Sequence, residues 1–311
     1  MARILKDVNV DFQVTGWLSE NPDKTRFGPI GRVILKKADP HSRSSLKDVV
    51  DALYVPGENR VACLMNYYQP KYERVTGSRE IGETILIEDI IYNNKCDVDD
   101  SHVDTFLGIT KDAGKSWLYL VRGIEYMCRE GHVLAVATNT PMAPEESWYT
   151  HGPNLKDIVE KEHSNGTILI PSHPLSQFGF GAKAILKAIK EPSGTNLGIQ
   201  AQDLEKYAEF WDALEYYSLS MDVEQSNRVR NISYDLKLPF VCNSDGTLDT
   251  AFVFKNIFKE IDFSSPENLR AGIRKGFEEK SFQQCTGQFK TPLVDKIWHI
   301  LGNVAQDRRY F

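Results

Sequence analysis

Short apolar runs alternate with helical patterns along most of the 311-residue chain, and this alternation restricts the fold more than any other feature. The apolar runs are rich in β-branched and aromatic residues and are bounded by turn-forming residues, which is typical of strands. Candidate strands cover 8–14, 32–38, 60–68, 83–92, 116–126, 132–138, 166–172, 213–220, 239–244 and 250–257. Candidate helices cover 44–54, 154–166, 182–194, 201–214, 223–238 and 265–277. The pattern predicts an α/β fold with a largely parallel sheet.

Composition narrows the functional classes. A chain with 41% hydrophobic and 26% charged residues has ordinary globular composition. Its net charge of -6 disfavours extended nucleic-acid binding, although a local basic groove stays open. The five cysteines form no C-x-x-C pair, so we expect neither a disulfide framework nor a zinc ribbon, and a reducing compartment fits best. Since no apolar run approaches about 18 residues and no signal-peptide core is evident, we expect a cytoplasmic protein without a membrane partner.

Four residues with metal-binding side chains lie at the ends of candidate strands. Glu125 ends one apolar run, His173 follows "TILIPS", and Asp245 follows "PFVCNS". His132 begins the strand after Glu125, so a hairpin would bring it to the same edge. In parallel α/β sheets, functional groups gather at the carboxyl ends of strands. We therefore expect these four side chains to converge.

Carboxylate and imidazole donors together suit zinc, manganese or iron better than a thiolate site would. Pro171 and Pro174 flank His173 and should stiffen the backbone around it. Each residue also has a structural interpretation, because "NSDGT" is a turn signal and a histidine after a strand is usually structural. Only the combination favours a metal site.

The order of these motifs resembles the PHP (polymerase and histidinol phosphatase) superfamily. "RGIEYMCREGHVLAVA" and "NLKDIVEKEHSNGTILIPSHPL" are similar to its glycine-x-glutamate, glycine-histidine and histidine-proline motifs. "ALEYYSLSMDVEQSNRVRNISYDLKLPFVCNSDGT" and "SPENLRAGIRKG" continue the resemblance, which covers about residues 117–278.

The resemblance implies a distorted (β/α)7-type, TIM-like barrel with metal ions at its mouth that hydrolyses phosphate esters. It predicts a barrel over residues 31–280 with a polar insertion near 69–115, between an N-terminal segment (1–30) and a C-terminal extension (281–311). The residues that it implies as metal ligands are His41, Glu125, His132, His173 and Asp245. His173, Asp245 and Arg122 are the expected catalytic residues, with the arginine neutralising charge on phosphorus.

Several positions depart from the family pattern. Thr247 stands where the last family histidine is expected, and Met65 and Asn66 replace two further ligands. The first histidine motif has two placements: 36–50, which keeps His41, or 10–19, where Gln13 and Thr15 replace both histidines. A full cluster of metal ions is therefore not expected.

These observations lead to a metal-dependent hydrolase of phosphate esters with one or two ions of zinc, manganese or iron. Its substrate would be a small-molecule phosphate ester or a nucleotide-like compound. The alternative is an inactive scaffold or ligand-binding protein of the same fold that has lost its metal, and a third hypothesis is an unrelated α/β enzyme without metal.

Overall fold

The structure is a computed structural model of the chain. The described residues are 3–14, 46–65, 96–128, 130–140, 153–176, 198–218, 221, 223–244, 251–252, 254–279 and 282–283. The candidate strands at 32–38 and 83–92 and the candidate helix at 182–194 lie outside these ranges.

The molecule is a mixed α/β protein built on a central sheet. Nine strands form this sheet, in the path β11-β10-β1-β2-β5-β4-β3, with β6 pairing with both β5 and β7. A second sheet consists of β8 and β9. The strands are β1 (Ile4–Val14), β2 (Asn59–Met65), β3 (Asp97–Asp99), β4 (Phe106–Thr110), β5 (Leu118–Met127), β6 (His132–Val136), β7 (Ile168–Pro171), β8 (Leu214–Tyr217), β9 (Phe240–Cys242), β10 (Ile257–Asp262) and β11 (Phe282–Gln283).

Strand directions differ from the largely parallel sheet that the sequence predicts. β1–β2, β2–β5 and β8–β9 are parallel, whereas the other pairs in the described sheets are antiparallel. β5 and β6 are antiparallel, as the hairpin expected between Glu125 and His132 requires, because the short turn that joins them cannot form a parallel crossover of about a dozen residues or more. β6 thus runs against its neighbours and begins at the edge where β5 and β7 end.

Helices follow the capping signals of the sequence. They are α1 (Leu46–Leu53), α2 (Leu155–Ser164), α3 (Ala201–Lys206), α4 (Val223–Leu236) and α5 (Pro266–Glu278). The Asn154 side chain accepts a hydrogen bond from the Lys156 amide at the start of α2, and Ser265 accepts one from the Asn268 amide at the start of α5. These contacts satisfy amides that have no partner inside the helix.

Two predicted elements are misplaced. The expected strand 250–257 begins only at Ile257, after a turn. The expected helix 201–214 ends at Lys206 and continues as a 3-10 turn at Ala208–Phe210. Within the predicted insertion, β3 and β4 pair with each other and extend the sheet through β5, while residues 69–95 lie outside the described ranges.

Polar groups connect the two sheets where backbone pairing stops. Asn256 is fully buried, and its Nδ2 donates to Val10 O (2.8 Å) and Cys242 O (2.6 Å) while its Oδ1 accepts from Cys242 N (3.0 Å). On the other side, Asp212 N donates to Leu169 O (3.0 Å) and Asp212 Oδ2 accepts from Leu169 N (2.8 Å). The described strands therefore form two linked sheets, without the closed barrel of paired strands that the resemblance implies.

Alternate strand residues from both sheets pack into one apolar interior. Its buried members include Val10, Phe12, Val61, Met65, Tyr119, Val121, Leu134, Val136, Ile168, Ile170 and Val241. Cys63, Cys96 and Cys128 carry free thiols, whereas Cys242 is disulfide-bonded. None of the helices in the described ranges is long and apolar enough to cross a bilayer.

Candidate metal centre

Glu125, His132 and His173 meet at the edge of the sheet. Oε1 of Glu125 lies 3.0 Å from Nδ1 of His132 and 3.4 Å from Nε2 of His173. One candidate ligand atom from each residue lies within 4.8 Å of the other two. The two imidazole rings contact each other edge to face, with centroids 4.9 Å apart. Three of the four side chains that the sequence predicts to converge therefore do so.

A tight hairpin positions Glu125 and His132. Cys128 and Gly131 exchange backbone hydrogen bonds of 3.0 and 3.3 Å, which closes the turn between β5 and β6. Glu125 pairs with Leu134 in the ladder, and His132 is the first residue of β6. Since residues two apart in a strand share a face, His132 and Leu134 point to the same side as Glu125. Strand register therefore explains this half of the cluster.

His173 lies in an unusual loop after β7. Its φ of 33° falls in the left-handed region, which residues other than glycine rarely adopt, although a proline follows it. The loop is held by a hydrogen bond from Leu175 N to Ile199 O (3.0 Å) and by one from Gly198 N to Ser176 O (3.2 Å). The backbone around His173 is thus fixed by contacts with a distant segment of the chain.

The cluster has the electrostatics of an ionised carboxylate between two imidazoles. Burial alone would raise the pKa of Glu125, but hydrogen bonds and charge from His132 and His173 outweigh it and hold that pKa well below its usual range. The side chains of Glu125, His132 and His173 are 13%, 12% and 8% exposed. The donors are therefore sheltered from solvent without being sealed from it.

Two of the three ligand separations fit one divalent cation. Two ligands of a tetrahedral zinc ion, each about 2.0–2.1 Å from the metal, lie about 3.3 Å apart. The separations from the carboxylate of Glu125 to the two histidine nitrogens, 3.0 and 3.4 Å, are close to this value. One oxygen and two nitrogen donors also match the ligand preferences of zinc and manganese.

Comparisons with known proteins add little to this picture. No protein-family model matches the chain, and no curated protein sequence matches it. A crystal structure from Bacteroides vulgatus ATCC 8482, of a two-domain protein containing a predicted PHP-like metal-dependent phosphoesterase, is 11% identical with a TM-score of 0.41. The match covers 90% of this chain and 64% of that one.

The structure of PsfC from Pseudomonas syringae PB-5123 is also similar, with 12% identity and a TM-score of 0.42. This match covers 97% of this chain and 98% of the PsfC chain. Both likenesses are too distant to support an argument about activity.

Of the remaining predicted site residues, the structure describes Arg122. His41 and Asp245 lie outside the described residues. Arg122 is on β5, but three positions from Glu125 and hence on the opposite face of the strand. Its guanidinium donates to the backbone oxygens of Thr140 (2.7 Å) and Asp104 (3.5 Å). The structure does not bring Arg122 to the cluster, and its catalytic role stays a prediction.

Residues at the substituted family positions line the same interior. Ser172, the neighbour of His173, donates from Oγ to Oε1 of Gln13 (3.2 Å), so the 10–19 placement of the first motif begins on β1 beside the cluster. Residues 36–45 of the rival placement lie outside the described ranges. Met65 packs against Gly123, where an added Cβ would lie 2.2 Å from the methionine Cε. The Met65 thioether therefore occupies the space beside Gly123, two residues before Glu125 on β5.

Sequence reasoning missed Glu215 and Gly198. Glu215 is fully buried, and its carboxylate accepts the amide of His173. Gly198 approaches the His173 loop so closely that a Cβ would lie 2.3 Å from His173 O. An acidic residue inside the apolar strand "ALEYY" was the available signal for Glu215. No local signal marks Gly198, because its role depends on a contact with a distant loop.

Proposed function

We propose that the protein binds one divalent metal ion through Glu125, His132 and His173 and uses it to hydrolyse phosphate esters. The supporting observation is that one carboxylate and two imidazoles present ligand atoms within 4.8 Å of one another. Three protein ligands with an open position are typical of catalytic zinc sites, whereas structural sites use four. The three side chains are not fully buried, so solvent reaches the cluster.

The chain's own residues supply charge and geometry. Glu125 is ionised across the neutral pH range because its pKa is held low, so it accepts a cation without releasing a proton, whereas a charged imidazole would lose its proton when the ion binds. One carboxylate and two neutral imidazoles would leave a divalent site with net positive charge, which favours an anionic phosphate ester. When bound, the ion would acidify a water molecule and withdraw charge from a phosphoryl oxygen.

The proposal extends to the architecture that the resemblance implies. Hydrogen bonds from Asn256 to Val10 and Cys242, and between Asp212 and Leu169, join the two sheets. These contacts support a distorted (β/α)7-type barrel with its mouth at the cluster. Residues 31–280 would form this barrel, between segments 1–30 and 281–311. His41 and Asp245 are the candidate ligands for a second ion.

A ligand-binding protein without hydrolytic activity is the second candidate. It is favoured by Met65, a thioether that packs in the interior against Gly123. Methionine cannot replace a hard anionic ligand for zinc or manganese. A site with this substitution would retain one ion, or none, and would bind a phosphate compound without cleaving it.

The test is metal binding and turnover by the full chain. The protein is stripped with a chelator, titrated with Zn²⁺ and then with Mn²⁺, and assayed for hydrolysis of an aryl phosphate monoester and diester. His132→Ala and His173→Ala remove one donor each. His163→Ala is the matched control, because this histidine is exposed on α2 and packs on Phe210 away from the cluster.

We expect about one ion per chain, an affinity at least tenfold weaker in each cluster variant, and turnover that only the control retains. Metal binding without turnover of either ester would favour the second candidate. Absence of stoichiometric binding, or affinities in His173→Ala equal to the parent's, would overturn the proposed site.

A further inference from the structure

Glu215 is a buried carboxylate directly behind the proposed metal ligands. It lies on β8 and has no exposed surface. One carboxylate oxygen accepts the backbone N–H of His173, and the other accepts from Nδ2 of Asn243 (2.8 Å). Burying a carboxylate costs free energy unless its oxygens are hydrogen-bonded. Strands pair through backbone groups and need no carboxylate, so the burial of the Glu215 carboxylate needs a different reason.

The amide that Glu215 accepts belongs to the most strained ligand of the cluster. His173 has a φ of 33° and is followed by a proline, two conditions that rarely occur together. The N–H lies in the peptide plane that precedes His173, and φ sets the direction of the side chain relative to that plane. A hydrogen bond from this N–H to a buried carboxylate therefore holds the plane from which the imidazole reaches Glu125 (3.4 Å).

We propose that Glu215 is a positioning residue for His173: its carboxylate holds the strained backbone so that the imidazole faces Glu125 and His132. The metal-binding part of this inference rests on the proposed function. The backbone part does not, because it concerns a hydrogen bond that the chain makes without metal. Hydrogen-bond partners of ligands typically contribute roughly tenfold to hundredfold to metal affinity.

Asn243 makes the role of the carboxylate testable. Its Nδ2 donates to Glu215 while its Oδ1 accepts from the Phe12 amide (3.3 Å). A glutamine at 215 has only one acceptor oxygen, so it leaves either the His173 amide or Nδ2 of Asn243 facing an NH₂ group. Changing Asn243 to aspartate as well restores the donor–acceptor match with both His173 and residue 243, because the new carboxylate accepts from the introduced amide and from the Phe12 amide.

Glu162 provides the matched control. It is also fully buried, and it accepts hydrogen bonds from the hydroxyls of Tyr126 (2.6 Å), Thr138 (2.9 Å) and Thr167 (2.8 Å). Glu162→Gln therefore removes the same charge at the same depth without touching His173. Both single variants should lose stability, but only Glu215→Gln should change the cluster.

The first measurement is Zn²⁺ affinity of the full chain, by competition with a fluorescent chelator. We expect Glu215→Gln to bind roughly tenfold to hundredfold more weakly than the parent. Glu162→Gln should stay within threefold, and the pair Glu215→Gln with Asn243→Asp should recover most of the loss. A Glu215→Gln affinity equal to that of the parent, or a loss matched by Glu162→Gln, would overturn the inference.

The second measurement is amide hydrogen exchange in the metal-free protein. Exchange at His173 should be at least tenfold faster in Glu215→Gln, while exchange at Leu175, which donates to Ile199 O (3.0 Å), should change much less. This measurement separates the two proposals. If the unmutated protein binds no zinc but Glu215→Gln still speeds exchange at His173, the metal proposal fails and Glu215 remains the positioning residue. Unchanged exchange at His173 would overturn it whatever the metal result.

Discussion

Replacing Gly198 by alanine should damage both folding and metal binding, because this glycine lies directly against the loop that carries His173. An added Cβ would lie 2.3 Å from His173 O, 2.5 Å from Ser176 N and 2.9 Å from Leu175 N. All three are backbone atoms, which cannot rotate away as a flexible side chain can. To reach an ordinary separation of about 3.5 Å, the loop would have to move by about 1 Å.

Such overpacking typically costs about 1–3 kcal/mol of stability. A displacement of about 1 Å also exceeds the tolerance of a metal site, where ligand distances are defined to about 0.2 Å. We therefore expect the free energy of unfolding of Gly198→Ala, measured in urea, to be about 1–3 kcal/mol lower than that of the parent. We also expect this variant to bind Zn²⁺ at least tenfold more weakly.

Gly272→Ala is the control. Gly272 lies within α5, and its nearest neighbours would be 3.6 Å from a Cβ, which is ordinary contact. This variant should be as stable as the parent or up to about 1 kcal/mol more stable, since alanine is the better helix former. The assays are urea unfolding followed by circular dichroism and zinc titration of folded protein. Parental stability and affinity in Gly198→Ala would refute the close-packing argument.

Three further substitutions test the fold and the cluster. Asn256→Ala should lower the free energy of unfolding by at least about 2 kcal/mol in urea titrations, because it removes three buried hydrogen bonds between the sheets; a change near zero would contradict this bridging role. Glu162→Ala should cost about 3 kcal/mol or more, since it leaves three buried hydroxyls without their acceptor, and a cost below about 1 kcal/mol would argue against the network. In chelator, Glu125→Gln should be less stable than the parent at pH 7, and this gap should shrink toward pH 3. The pKa of Glu125 is lower in the folded chain than its usual value of about 4.3, so its contribution is present above that value and is lost as the pH falls; a gap independent of pH would rule this out.

Local signals in the sequence predicted the parts of the structure that depend on neighbouring residues. The candidate helices 154–166 and 265–277 correspond to α2 and α5, and a short apolar run located β7. The six residues between Glu125 and His132 are enough for one hairpin, so their convergence was also predictable. These features depend on chain geometry over a few residues.

Contacts between distant segments were not predictable in the same way. Glu215 reaches the His173 amide across 42 positions of the chain, and Gly198 matters only because a particular loop lies against it. Arg122 was expected to act with Glu125 because the two are close in sequence. The alternation of a strand places its side chain on the opposite face, where it donates to Thr140 O.

X-ray absorption spectroscopy of the zinc-loaded full chain tests the central claim most directly, because it identifies the ligand atoms themselves. The account predicts one zinc per chain with two imidazole nitrogens and carboxylate oxygen at about 2.0–2.1 Å, and a shell short of one imidazole in His173→Ala. A coordination shell without imidazole, or a spectrum unchanged in His173→Ala and His132→Ala, would contradict it.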